Sequence, residues 1–312
     1  MFRYMDQVYA VYQEGSFTKA AKRLCVSQPA LSATVKKAED ALGYPIFDRS
    51  TKAITLTDIG KQYIEAAEQI LLIKENLQHR IDDTQNLRRG SFILGGTTFI
   101  ISDVLPDTFR AFGKRYPDID IDIQVEPSTV LWEKLRQGQV DIAIDNALTK
   151  DPDHAYIPLF QERILVGVPE DNPINDRLRD YRLDPAALRV GCDYEKMPKV
   201  DMSVFASEDF ILLKPGNKMR QIANNIFTEA GISPRICYEF DLLSTSISFA
   251  DAGFGVCFLT DTVLNYSGPC KNLVLYQPNT QYAERNLYLM YKKNKYLSSA
   301  TRAFIDCLTE SF

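Results

Sequence analysis

No stretch of this 312-residue chain approaches the ~18 consecutive apolar residues that a membrane-spanning helix requires. The N-terminal run MFRYMDQVYAVYQEG has no basic region followed by a long apolar core, so no signal peptide is expected and the expected location is the cytoplasm. Histidine is scarce: His79 and His154 stand alone, neither with a second His or Cys at ligand-like spacing, so no metal site is expected. The cysteines Cys25, Cys192, Cys237, Cys257, Cys270 and Cys307 are scattered, with no CxxC pair. In a reducing compartment such residues are small hydrophobes or inert thiols, and a redox sensor through Cys192 or Cys237 is the alternative. There is also no GxGxxG, P-loop, GxSxG or HExxH. No cofactor is therefore expected, and the chain is not expected to be an enzyme. A hydrolase with an N-terminal regulatory domain stays open only because Asp or Glu can serve as a general base.

What is present is an ordinary globular composition, 45% hydrophobic and 25% charged, in a chain long enough for two domains. Charge is unevenly placed. Residues 1–90 carry 13 Lys and Arg against 11 Asp and Glu, whereas the remainder carries 23 against 30. Within 16–52 the ratio is seven (Lys19, Lys22, Arg23, Lys36, Lys37, Arg49, Lys52) to three (Glu39, Asp40, Asp48). A basic patch on an acidic body suggests contact with a polyanion, with a mixed solvated surface as the alternative.

The same patch has helical punctuation. Tyr4, Val8, Val11 and Tyr12 recur at helical spacing up to Gly15, which predicts a first helix over residues 3–13. Ser16 can cap a second, with Phe17, Ala20, Ala21 and Leu24 inward. Ser27 can cap a third, with Pro29 in its first turn and Ala30, Leu31, Val35, Ala38 and Leu42 as its buried stripe up to Gly43. Small Ala20 and Ala21 allow a close crossing, the geometry of a helix-turn-helix. Two short strand-like runs, Pro45-Ile46-Phe47 and Ala53-Ile54-Thr55-Leu56, flank a basic tip at 49–52 and predict a hairpin wing. Thr57 or Asp58 then opens a long helix, residues 59–89, with a seam at Tyr63, Ala66, Ile70, Ile73 and Leu77 that weakens at Arg80. Such a stripe is too long for a small head to cover, which predicts pairing with a second copy, with packing against the chain's own C-terminal domain as the alternative.

The run EGSFTKAAKRLCVSQPALSATVKKAEDALGYPIFDRSTKAITLTDIG, through its elements SFTKAA, VSQPALS, LG.P.F.R and LT..G, closely resembles the N-terminal domain of LysR-type transcriptional regulators. The resemblance implies a winged helix-turn-helix on double-stranded DNA over residues 1–58. In that arrangement the third helix enters the major groove with Ser27, Gln28, Pro29, Ser32, Ala33 and Lys36 on its leading turns. Gln28 suits adenine, Ser32 is adaptable, and Pro29 can meet a thymine methyl. Lys22, Lys36 and Lys37 suit phosphates, and Arg49 and Lys52 lie at the wing. Many relatives carry a long polar side chain where this chain has Ala33, which puts one base contact in doubt. Ser27 needs no DNA to explain it, since capping alone selects serine there.

Downstream of Arg88-Arg89-Gly90, strand-like and helical runs alternate, which predicts α/β layers with mostly parallel sheets. LRQGQVDIAI, ILVGVPEDNPI, ADAGFGVCFLT and LSSATRAFIDCL resemble, more loosely, the same family's effector-binding domain. The fold class is therefore α/β with an N-terminal all-α winged helix-turn-helix, a long linker helix and a two-lobed periplasmic-binding-protein-like (type 2) domain over 90–312. One lobe is expected at about 91–161 with 268–312, the other at about 162–267. The resemblance places a small-molecule effector in the cleft between lobes, where strand ends and helix N-termini favour an anionic group. Candidates on one side are Thr97, Thr98 and Phe99, Ser128 and Thr129, and Asn146. Facing them are Lys214, as counter-ion, with Asn217, Ser244 and Thr245. Helix capping by itself accounts for several of these hydroxyls. The expected partners are promoter DNA, the effector, and a second copy through the linker helix, extending to a tetramer, with RNA polymerase a further candidate.

Overall fold

The structure, a computed structural model, describes residues 2–48, 54–85, 90–147, 150–185, 187–188, 193–268 and 270–312. The chain forms two compact units, Met1–Ile81 and Asp82–Phe312. In the first, a 3-10 turn leads into α1 (Met5–Glu14), followed by α2 (Phe17–Arg23) and α3 (Gln28–Leu42). Ser16 and Ser27 cap α2 and α3, their hydroxyl oxygens accepting from the N–H groups of Lys19 and Ala30 at 3.4 and 3.3 Å. Between these helices Cys25 holds φ at 54°, a left-handed position that glycine normally fills. The Cys25 N–H bonds to Lys22 O and the Val26 N–H to Ala21 O, closing α2 with a Schellman turn.

The head's core collects Val8, Val11, Ala20, Ala21, Leu31, Val35 and Ala38. Ala30, expected in the buried stripe of α3, is exposed. It lies one residue, about 100° of helix, off the arc carrying Leu31, Val35 and Ala38. The wing is the short antiparallel pair β1 (Phe47–Asp48) and β2 (Thr55–Leu56), and its tip, including Arg49 and Lys52, lies outside the described residues. Glu39 on α3 fixes the wing's entry, its Oε1 accepting from Ile46 N at 2.9 Å and Phe47 N at 3.2 Å.

α4 (Asp58–Gln85) begins at Thr57, whose hydroxyl donates to Pro45 O at 2.7 Å and accepts from Gly60 N at 2.8 Å. Gly60 packs so tightly that an added β-carbon would overlap the Ile46 carbonyl oxygen. This gives the LT..G element a physical reason. The expected seam along α4 divides in two. Tyr63 is buried with Ile64 and Ala67 in the head's own core, whereas Ile73 and Leu77 are 65% and 58% exposed.

The second unit holds two similar α/β layers. In one, β3 (Gly90–Gly96) pairs in parallel with β4 (Ile119–Val125) and β5 (Ile142–Asn146), wrapped by α5 (Pro106–Arg115) and α6 (Ser128–Arg136). The run TFIISDVLPDTFRAFGKRYP, which reads as one helix, is broken into a π-helical turn, Ile100–Val104, and α5, with Pro106 at the break. Next in the chain is β6 (His154–Pro169), then the short elements α7 (Ile174–Arg177), β7 (Arg182–Leu183) and β8 (Lys199–Val200). The other layer follows: β9 (Asp209–Leu213), α8 (Lys218–Ala230), β10 (Arg235–Phe240), α9 (Leu243–Asp251), β11 (Val256–Thr260) and α10 (Asp261–Tyr266). Within it β9 pairs in parallel with β10 and β11. The chain ends with β12 (Leu273–Pro278), β13 (Glu284–Lys292) and α11 (Ser299–Thr309).

β6 joins the layers, because its first half pairs antiparallel with β13 and its second half with β11 and β12. The sheet is thus mixed rather than mostly parallel. Of β6 the sequence pattern marks only RILVGVP as a strand, and it marks none over β12. Pro158, which lacks a ladder donor, weakens the strand signal there. The ladder absorbs it with a bulge, Leu287 opposing Phe160 while Tyr288 opposes Pro158. His154, whose DPDHAY surroundings read as a loop, opens this strand instead. It is 2% exposed, with its ring 4.7 Å from that of Trp132. Neither ring nitrogen has a hydrogen-bond partner, and burial holds its pKa below the ordinary 6.5.

Two outcomes are expected. Gly60→Ala lowers the stability of the head by about 2 kcal/mol, as overpacking against a backbone carbonyl does, measured by urea denaturation. For His154 the unfolded chain takes up a proton near pH 6.5 before the folded one does, so its contribution is complete above that pH and declines below it. His154→Phe therefore loses less thermal stability than the parent between pH 7 and 5, as read by melting temperature against pH.

Candidate nucleic-acid interface and effector cleft

α3 separates its side chains cleanly. Leu31, Val35 and Ala38 face the core, while Gln28, Pro29, Ala33, Lys36 and Lys37 are exposed and Ser32 is half-buried. Ser27 is exposed at the cap, and Lys22 is exposed on α2. Among the described residues no carboxylate pairs with Lys22, Lys36 or Lys37, so these ammonium groups are free for an outside anion. Arg23 is otherwise engaged, its guanidinium donating to Gln13 at 2.8 Å and Glu14 at 3.3 Å. The result is a helix with a polar, uncharged N-terminal turn, two exposed lysines further along it and the core behind, a shape suited to a groove-reading helix.

In the second unit the ends of β3 and β5 and the starts of α6, α8 and α9 surround a cleft of about 250 Å³. Thr97, Thr98, Phe99, Ser128, Asn146 and Asn217 line it together. Thr97 and Asn217 also cap, the former accepting from Ile101 N through its carbonyl and the latter from Met219 N through Oδ1 at 2.8 Å. Thr129 faces an adjoining chamber, and Ser244 opens on another cavity of about 470 Å³ that shares Thr98, Phe99, Leu242 and Leu243 with the cleft. Thr245 is half-buried in the first turn of α9.

Lys214, expected as the counter-ion, instead pairs at 2.7 Å with Asp241, both side chains largely exposed. The cation in the cleft is Lys218, four residues on, whose Nζ holds Asp145 at 2.7 Å and also the Asn146 carbonyl. The second is Arg285, paired with Glu162 at 2.5 Å. Sequence reasoning missed all four of these charged residues. KPGNK offered two lysines around one strand-to-helix turn, and only the packing of α8 decides which points inward. Glu162 and Arg285, far apart in sequence, left no local signal.

Cys237 is a poor redox centre. Its thiol donates to Phe210 O at 3.3 Å, and burial raises its pKa, which suppresses the reactive thiolate. Cys192 lies outside the described residues. Also among the described residues, no cluster of three or more His, Cys, Asp or Glu is placed to hold a metal, and no helix is long and apolar enough to cross a membrane.

Comparison with known proteins identifies the domains that carry the helix and the cleft. Residues 2–61 match the bacterial regulatory helix-turn-helix protein model of the lysR family, and residues 85–312 match the LysR substrate binding domain. An uncharacterized HTH-type transcriptional regulator, YcgK of Bacillus subtilis (strain 168), is 28% identical over 98% of this chain and 93% of its own length. A full-length OxyR variant from Pseudomonas aeruginosa has the same fold, with a TM-score of 0.67 and 23% identity across 100% of this chain and 94% of that one. The effector-binding domain of QuiR, solved with shikimate, superposes with a TM-score of 0.56 and 20% identity, covering 72% of this chain and 97% of its own. The separated faces of α3 and the cleft at the strand ends thus sit in matched domains that span nearly the whole chain, and the chain belongs to the LysR family of DNA-binding transcriptional regulators.

Proposed function

We propose that the protein regulates promoters in the cytoplasm as a homodimer that can assemble further to a tetramer, under control of a small anionic effector held in the cleft of its second unit. The observation that carries the DNA half is the row Gln28, Ser32 and Lys36, spaced four apart along α3 and clear of the buried Leu31, Val35 and Ala38, with exposed Lys37 about 100° further round the helix. Gln28 and Ser32 serve as base readers, with Pro29 and Ala33 in apolar contact. Lys22, Lys36 and Lys37 hold phosphates, with Arg49 and Lys52 at the wing. Pairing of two copies uses Ile73, Leu77 and Ile81 on α4, which are exposed beyond the head's core. RNA polymerase is the proposed downstream partner.

The effector half rests on charge balance. Four carboxylates line the cleft, and each has a cation: Asp145 with Lys218, Glu162 with Arg285, Asp241 with Lys214, and Glu126 with Lys134 at 2.5 Å. The first turns of α6 and α8 then tip the local potential positive, and their N–H groups have no partner inside the helix. Thr97, Thr98 and Ser128 add hydroxyl donors at the same place. A carboxylate or similar anion fits this donor set. Phe99, Thr129, Asn146 and Asn217 shape the surrounding walls, while Lys214, Ser244 and Thr245 are kept as outer candidates.

The DNA reading is tested by binding of purified protein to genomic fragments, followed by the best captured site in titrations. Lys36→Ala weakens binding to all duplexes and flattens its salt dependence by about one counter-ion. Gln28→Ala costs about 1–3 kcal/mol and relaxes preference at one base step only. If both variants lose only non-specific affinity, the groove assignment fails. For the cleft, Ser128→Ala removes one donor, so stabilisation by a panel of small organic acids shrinks in thermal-shift measurements while the unliganded melting temperature stays within a degree or so, as for a half-buried surface change. An unchanged ligand response would remove Ser128 from the site.

A further inference from the structure

The cleft does not end at its polar lining. A second chamber of about 250 Å³ adjoins it, and the two share Ser128, Asp145, Asn146 and Lys218 as a common boundary. Beyond that boundary the chemistry changes. Leu131, Trp132 and Leu135 from α6 form one wall, with Ala143 of β5 and Met290 of β13 behind them. Leu131, Leu135, Ala143 and Met290 are buried, whereas Trp132 is only half-buried and keeps part of its indole towards open space. An aromatic side chain left uncovered in an apolar recess is a contact face waiting for an apolar group. A cavity of ~150 Å³ lined by such residues already accommodates benzene, so this chamber has room for a ring or a branched alkyl group.

We infer that the effector is an amphipathic organic acid whose charged head lies in the polar cleft and whose ring-sized apolar body fills the chamber against Trp132. The inference rests on the proposal that the cleft takes an anion, and adds the other end of the molecule. The boundary residues set the order of the two ends. Lys218 and Asp145 form a bonded pair there, and the apolar walls lie on the far side of it from Thr97, Thr98 and Arg285. A molecule polar throughout would set its hydroxyls against Leu131, Leu135, Met290 and the uncovered part of Trp132, with only Thr129 and Gln221 beyond the boundary to bond them. The reverse orientation would bury the anion among aliphatic side chains. Each methylene taken into the chamber is worth roughly a factor of four in affinity.

The chain's one tryptophan is Trp132, so its fluorescence reports this chamber alone. The test uses full-length protein titrated with acetate, butyrate, isovalerate and phenylacetate, and in parallel with the hydroxylated acids glycerate and malate, following both Trp132 emission and melting temperature. The expected result is affinity that climbs with apolar bulk, at least tenfold from acetate to phenylacetate, with a saturable change in emission. Ala147→Leu, which narrows the chamber from its rim, should abolish that climb while leaving acetate and glycerate unaffected. Binding of the hydroxylated acids that depends on Ser128, with no gain from apolar bulk, overturns the chamber inference and leaves the anion reading standing. If no acid of either series changes emission or melting temperature, both fall together. A climb that survives in Ala147→Leu overturns the assignment to this chamber.

Discussion

One buried carboxylate holds the second unit together where its two layers meet. Glu162 sits in the middle of β6, its side chain 3% exposed, and Arg285 stands directly across the ladder on β13. Moving a carboxylate out of water costs several kcal/mol, so it survives there only with a full set of donors. Glu162 has them. Arg285 Nε donates at 2.5 Å, Asn146 Nδ2 at 3.0 Å and the Thr262 hydroxyl at 2.8 Å, from β13, β5 and α10 respectively. Next to this group Asp261 accepts from Arg163 N and the Tyr194 hydroxyl, and burial lifts its carboxyl above the usual range, with Glu162 adding to the effect. Removing Arg285 would leave the charge without compensation, and removing Asn146 or the Thr262 hydroxyl would leave a carboxylate lone pair unmet, at the junction of β5, β6 and β13 where the floor of the cleft is built.

That arrangement defines what an occupant of the cleft can alter. The layers are tied through continuous strands at Glu162, and across the cleft by side chains that can exchange partners. Lys218 of α8 reaches Asp145 and the Asn146 carbonyl on β5, and Ser267 after α10 donates to Asp103 at 2.7 Å. A ligand shifts a conformational equilibrium only by the difference in its affinity for the two states. An anion close to Lys218 competes with Asp145 for the same ammonium, so its binding free energy depends directly on whether that contact is kept. The far end of α4 is fixed within the second unit, where Asp83 accepts from the Tyr296 hydroxyl at 2.9 Å and from Ser299 N at the start of α11. The same helix begins inside the head's core.

The head was legible in the sequence because its instructions are local. Caps at Ser16 and Ser27, stops at Gly15 and Gly43, and the Thr57–Gly60 pair each act within about one helical turn, and spacing alone exposes them. Errors there were equally local: Ala30 lies a residue off its arc, and Tyr63 went to the head's core instead of an outer seam. The cleft was legible only as strand ends and helix starts. Which lysine turns inward, which carboxylate is buried at the crossing, and that one wall turns apolar at Trp132 depend on contacts between residues such as Glu162 and Arg285 or Met290 and Leu131, which no sequence window contains. Pro158 hid the front of β6 for a related reason: the bulge that accommodates it is made jointly with β13.

The composition of α3 also constrains how the protein must act. Ala33 has no group to hydrogen-bond a base edge, so in the DNA reading proposed above the base readers reduce to Gln28 and Ser32. One good bidentate contact discriminates by about 1–3 kcal/mol, whereas specific sites exceed non-specific DNA by roughly 4–10 kcal/mol. A single head of this composition falls short of that range. In the dimer we propose, doubling the head through the exposed Ile73, Leu77 and Ile81 edge of α4 would double the base contacts and add a fixed spacing between half-sites, which is itself a selective term. In that reading Lys22, Lys36 and Lys37 supply affinity without choosing sequence. Specificity in the proposed dimer would then depend on the spacing of two heads, and that spacing is the quantity an effector would have to change.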